Sequence, residues 1–204
     1  VKQSKLDRWN KWQAESFKDY LLTLERYVEN PLTHYHRVSH VYDCFFILSD
    51  PSLSDFVTSE LKFAILYHDV VYKPDANDNE ENSAALAFIE LSQIYRDDAM
   101  GLNKIVDLIL LTKHTGDSTD DVESQCMLDI DLSILGSNSV KYKWYADLIR
   151  MEYSFVSDED YVRGRITFLG SLLHRPKIYY KLTNLEEQAR TNINNEILYL
   201  RGKL

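Results

Sequence analysis

The stretch that most constrains this chain is Phe63-Ala64-Ile65-Leu66-Tyr67, followed at once by His68-Asp69. It reads as the second half of a helix expected over about residues 55–71. A helix that is apolar on every side has to lie inside a shell of other elements. Those elements are expected to be helices as well. The chain has 6 Gly and 4 Pro in 204 residues, too few for the turns of a β-sandwich or barrel. No segment alternates convincingly with period 2. Residues 1–204 show no internal repeat and no low-complexity linker, and one all-α domain of about eight to nine helices is expected.

Apolar spacing places the other helices. A stripe of Leu6, Trp9, Phe17, Leu21, Leu24 and Val28 predicts one helix ended by Asn30-Pro31. The next is expected from about His34 to Leu48, stopped by Ser49-Asp50-Pro51. Asp78 with Glu81 resembles a capping box opening a helix to about Tyr95. Another runs from about Leu102 to His114, before a polar loop over 115–121. Val122–Leu135 is helical, with Gly136 as its terminating residue. A helix over about 140–155 follows, then one from the Ser157/Asp160 cap to His174. Asn184 with Glu187 is expected to cap the last, which turns Ile193, Ile197 and Leu200 inward. Trp9, Trp12 and Trp144 fit core faces.

The net charge is −9, so the chain repels the phosphate backbone of nucleic acid polymers. A small phosphorylated substrate remains compatible, because a metal and a few cations can reverse the sign inside one cleft. No apolar run approaches the roughly 20 residues of a membrane span, and no membrane partner is expected. Val1 to Asn10 is polar and has no secretion-signal core. Cys44 and Cys126 lie in apolar helical stretches and read as buried thiols rather than a disulfide. A cytoplasmic protein is expected.

Chemistry concentrates at three places. His68-Asp69 ends the most apolar helix, where an ionised carboxylate is costly unless paired or coordinated. Adjacent helical residues point about 100° apart, so both reach one cleft only where the helix ends. His36 and His40 are four apart on one helical face. Asp129 and Asp131 interrupt the otherwise apolar Met127–Leu135, and at least one needs an interior partner. Two imidazoles with two carboxylates suit one divalent ion, Mn, Fe, Co, Ni or Mg, with positions left for water. A set without thiolate argues against structural zinc.

The ordered set His40, His68-Asp69 and Asp131 resembles the HD superfamily of metal-dependent phosphohydrolases. It is closest to an uncharacterised bacterial subfamily of HD-domain phosphohydrolases, through Tyr35-His36, His68-Asp69-Val70-Val71-Tyr72, Asn79-Glu80, Ser83-Ala84, Asp129-Ile130-Asp131-Leu132, Ile134-Leu135-Gly136, Arg165, Arg175-Pro176 and Ile178-Tyr179. These blocks span about residues 30–180. Thr33 departs from the pattern, where a basic residue is expected. The resemblance implies an HD-type helical bundle with His40, His68, Asp69 and Asp131 as metal ligands, Asp131 being preferred to Asp129. It implies His36 as proton donor to a leaving oxygen, with Glu80 and His114 as substrate-contacting or supporting groups. Asp69 would also orient the attacking water, and Lys73, Lys113 and Arg165 would neutralise phosphate charge.

The expected function is hydrolysis of a small phosphorylated substrate, such as a nucleotide mono- or diester. The alternative is a metal- and nucleotide-binding sensor that does not cleave, and a third reading is a structural helical adaptor without metal. Plainer roles stand beside each assignment. His36 can serve as a hydrogen-bonding support, His114 can belong to a positively charged helix end, and Glu80 can be a first-turn acid on a helix dipole. Asp129 reads as exposed or supporting. His34 and His174 read as surface or structural residues, and the acidic run over 117–123 as a solvated loop.

Overall fold

In the computed structural model, residues 2–15, 17–114 and 119–204 are described, with side chains for 8–14, 18–114 and 119–204. The fold is all-α: among the described residues there are helices and no strand. The α-helices are α1 (Lys2–Glu15), α2 (Phe17–Glu29), α3 (Val38–Leu48), α4 (Ser59–Tyr67), α5 (Asn79–Leu91), α6 (Ala99–Leu111), α7 (Val122–Asp131), α8 (Ser139–Glu152), α9 (Asp158–His174) and α10 (Glu186–Arg201). Short 3₁₀ turns cover Pro51–Phe56, Leu132–Gly136 and Thr183–Leu185.

Helix α4 sits at the centre, touching α1, α2, α3, α5, α6 and α7. All of its residues except Lys62 are buried, which is what an all-apolar surface demands. Its start is fixed by Thr58, whose hydroxyl accepts from the Leu61 N–H. It stops at Tyr67, and His68 is the capping residue. The chain then turns, so His68 and Asp69 escape the 100° divergence of helical neighbours and face one place. Helices α8 and α10 pack on the Leu132–Gly136 turn, and α9 packs on α10. Among the described residues no helix is long and apolar enough to cross a membrane.

Several expected boundaries differ, for physical reasons. The expected N-terminal helix is described as Lys2–Glu15 and Phe17–Glu29, on either side of Ser16, which lies outside the described residues. Along them Trp9, Trp12, Leu24 and Tyr27 are buried while Leu21 and Val28 are exposed; the Leu6 and Phe17 side chains lie outside the described residues. Residues 34–37 are not helical: Glu152 takes the backbone N–H groups of 34–36 (below), and the Arg37 N–H donates to the Tyr35 carbonyl. Asp78 makes no capping bond; Asn79 instead clamps Lys73, donating to its carbonyl and accepting from its N–H at 2.9 Å each. The Asn184/Glu187 cap is absent as well. Gly136 has no left-handed backbone. It is glycine because a Cβ there would lie 2.5 Å from the Leu185 Cβ and 2.9 Å from its carbonyl oxygen. Trp144 is half exposed. The Ser157 cap forms as expected, accepting from the Asp160 N–H at 3.1 Å. Of the polar 115–121 stretch, residues 115–118 lie outside the described residues.

Candidate metal centre

Three helix ends deliver four polar side chains to one point inside the bundle. His40 comes from the first turn of α3, His68 and Asp69 from the end of α4, and Asp131 is the last residue of α7. His40 and His68 are almost wholly buried, and Asp69 is buried beside them. The His40 and His68 Nε2 atoms are 3.1 Å apart. Asp69 Oδ2 lies 3.0 Å from His68 Nε2 and 3.7 Å from His40 Nε2. Asp131 Oδ1 lies 3.2 Å from His40 Nε2 and 3.5 Å from His68 Nε2.

These separations fit the edges of a coordination shell. Ligands at about 2.1 Å from a divalent ion sit about 3.0 Å apart at octahedral and about 3.4 Å apart at tetrahedral angles. The tautomers point the same way. His68 Nδ1 donates to the Ile65 carbonyl at 2.9 Å, so neutral His68 aims a bare lone pair at the anionic Asp69 oxygen. Lone pairs facing one another in a buried place are costly unless a cation or a proton lies between them, and, against the effect of burial, Asp69 and Asp131 raise the His68 pKa well above its ordinary value. Burial alone would raise the carboxylates, yet the neighbouring imidazoles prevail: Asp69 is held to about 2, and Asp131, bonded to His114, His40 and His68, well below its ordinary value. Both are ionised at neutral pH.

Cys44, one turn beyond His40 on α3, is a buried thiol as its apolar surroundings predict, but it also stands beside the candidate ligands. His40, Cys44 and His68 form a buried group whose donor atoms lie within 4.8 Å of one another, a group that could hold a metal ion. Its sulfur is 3.8 Å from both ring nitrogens of His40, so it lies beside the imidazole rather than in front of Nε2. Burial, with Asp131 and Asp69 nearby, keeps the thiol protonated. The Asp69 and Asp131 oxygens, 3.0 to 3.7 Å from the two Nε2 atoms, are better placed to share an ion with them.

A second buried construction orients His36. The carboxylate of Glu152, at the end of α8, is completely enclosed. Its Oε1 accepts from the backbone N–H groups of His34, Tyr35 and His36 at 2.7, 2.6 and 2.9 Å, and its Oε2 faces His36 Nδ1 at 2.7 Å. The ring is stacked on Tyr72, 4.0 Å between centroids. Burial would lower the His36 pKa, but Asp69 and Glu152 raise it above its ordinary value. With Nδ1 bound to Glu152, the free ring nitrogen is Nε2. No motif in the sequence marks Glu152.

His36, Asp69, Glu80, His114, Asp131 and Arg165 all line one cavity of about 550 Å³. His114 adopts a left-handed backbone, φ 54°. Its Nε2 lies 2.8 Å from Asp131 Oδ2, and its buried Nδ1 has no hydrogen-bond partner among the described residues. Lys113 reaches the cavity but is paired with Glu81. Arg165 is buried and gripped by Glu196 at 2.9 and 3.2 Å, so its charge is already balanced. Lys73 is exposed and outside the cavity wall. Thr33 is buried and bonds the Asn30 carbonyl. Asp129 is not exposed: it is fully buried and accepts from the N–H groups of Tyr180, Lys181 and Leu182, away from the imidazoles. No family model, curated protein or solved structure matches this chain.

Proposed function

We propose that the chain is a metal-dependent phosphohydrolase of the HD type, acting on a small phosphorylated substrate. The observation that carries this reading is the convergence of His40 and His68 Nε2 with Asp69 and Asp131 oxygens at separations of 3.0 to 3.7 Å, the two carboxylates lying on the wall of a cavity large enough for a ligand. The helical placement and chain order of those four residues support the HD assignment.

A bound divalent ion supplies positive charge for a phosphoryl group and makes water acidic enough to be a nucleophile near neutral pH. The chain supplies the rest. Asp69, whose carboxylate is ionised and lines the cavity, orients the attacking water and takes up its hydrogen bond. His36 is held protonated by Asp69 and Glu152, and donates from Nε2 to the leaving oxygen. His114, bonded to Asp131, fixes that carboxylate's rotation. Tyr35, Tyr72 and Tyr145 wall the polar end and limit water to what the chemistry uses.

The built orientation of His36 favours an enzyme over a sensor, because a binding module has no use for a proton donor held at a buried carboxylate. Assay of the Mn²⁺-loaded protein on bis-p-nitrophenyl phosphate and a nucleotide panel tests the reading. Turnover that disappears in His36→Ala is expected. Nucleotide binding without product after long incubation would favour the sensor.

A further inference from the structure

We infer that Glu80 and Asp160 act as a charge filter, so that the site takes esters carrying one phosphate on an uncharged or cationic, largely apolar remainder. The inference rests on the hydrolase reading and names its substrate class.

Charge bookkeeping around the cavity leads there. Asp69 and Asp131 are matched by a divalent ion. His36 is matched by Glu152, Lys113 by Glu81 and Arg165 by Glu196. Among the described residues lining the cavity, that leaves Glu80 and Asp160 with no ion-pair partner. Glu80 stands in the first turn of α5 and Asp160 in the first turn of α9; Asp160 accepts only a Ser157 hydroxyl, at 2.7 Å. Beyond the metal-binding end, the wall is therefore net negative and offers no uncommitted cation to a second phosphate.

The remaining wall has a definite chemistry. Asp160, Gly164 and Phe168, at spacings of four on α9, all face the cavity. A Cβ at Gly164 would meet nothing within 4 Å, so the helix surface is bare there and a flat group has room. Tyr153, Tyr161, Ile149 and Val156 complete an aromatic and aliphatic lining. Such a wall accepts an apolar or aromatic body, and its rim carboxylates favour hydrogen-bond donors or a positive end.

The test uses three inert ligands that differ in one remote charge: benzylphosphonate, its 4-carboxy analogue and its 4-aminomethyl analogue. Each is measured as an inhibitor of bis-p-nitrophenyl phosphate hydrolysis with Mn²⁺ in excess. The carboxy analogue is expected to bind about tenfold more weakly than the parent, and the aminomethyl analogue at least as tightly. Double substitution Glu80→Gln/Asp160→Asn should bring the three within about threefold. In the wild type, about 0.5 M NaCl should shrink the spread as well; this arm needs no variant. Equal or reversed affinities, no binding of any of the three, or a spread that survives both the substitutions and the salt, overturns the filter. If no ester is hydrolysed, the hydrolase reading fails, and calorimetric affinities of the same ligands decide the filter separately.

Discussion

His36 Nδ1 and Glu152 Oε2 lie 2.7 Å apart although 116 residues separate them, and the same carboxylate ties down the backbone of residues 34–36. One buried side chain thus shapes the turn before α3 and sets which histidine nitrogen faces the cavity. Glu152→Gln removes the charge that helps hold His36 protonated. Since the proton donor is the charged ring, activity falls as pH rises through the His36 pKa. In Glu152→Gln that alkaline limb is expected at lower pH, with kcat at about pH 8 reduced roughly 10- to 100-fold. A pH–rate profile with an unmoved limb would show that Glu152 serves only the fold.

The same pair makes stability depend on pH from both sides. Burial opposes the Glu152 charge, but His36 and the loop N–H groups outweigh it and hold its pKa below the ordinary value. Its contribution is therefore present above the usual carboxylate range and lost as pH falls through the depressed value. His36 is raised, so its contribution is full below about 6.5 and lost as pH climbs through the raised value. Thermal melts across pH should show stability lost at both limbs. In His36→Ala the neutral-to-alkaline loss should flatten.

Asp129 and Asp131 stand two residues apart and have different work. Asp129→Asn replaces an oxygen that accepts from the N–H groups of residues 180–182. It is expected to cost about 1–3 kcal/mol of stability while metal content is unchanged. Asp131→Asn should behave in the opposite way, losing metal affinity. Denaturant melts beside elemental analysis separate the two; equal metal loss in both variants would contradict the assignment.

Gly136→Ala places a methyl 2.5 Å from the Leu185 Cβ and 2.9 Å from backbone oxygen. Backbone cannot yield as a flexible side chain does, so a loss of about 1–3 kcal/mol is expected, read from the shift of the urea midpoint. A neutral result would mean that the Thr183–Leu185 turn moves freely against the Leu132–Gly136 turn.

The sequence was most informative where one helix could be buried in only one way. Phe63–Tyr67 made α4 central and His68-Asp69 its end, and the all-helical class followed from the scarcity of turn residues. Phase was harder. Leu21 and Val28, placed inside by a single period, face water, while Tyr27 is buried beside them. Groups whose partners lie far along the chain left no local mark. Glu152 reads as an ordinary helix-end acid until residues 34–36 are brought to it, and Arg165 reads as a phosphate ligand until Glu196 takes its guanidinium. Cys44 reads as core, although its spacing of four from His40 on the expected helix already sets the two side by side.

The central claim is that His40, His68, Asp69 and Asp131 hold one divalent ion. It is tested most directly by metal stoichiometry and melting temperature, measured after Mn²⁺ loading and dialysis in the wild type, His68→Ala, Asp131→Ala and Cys44→Ala. About one ion per chain with a metal-dependent rise in Tm is expected for the wild type and Cys44→Ala, and neither for the other two. Absence of bound metal in the wild type, or retention in Asp131→Ala with loss in Cys44→Ala, would contradict the account.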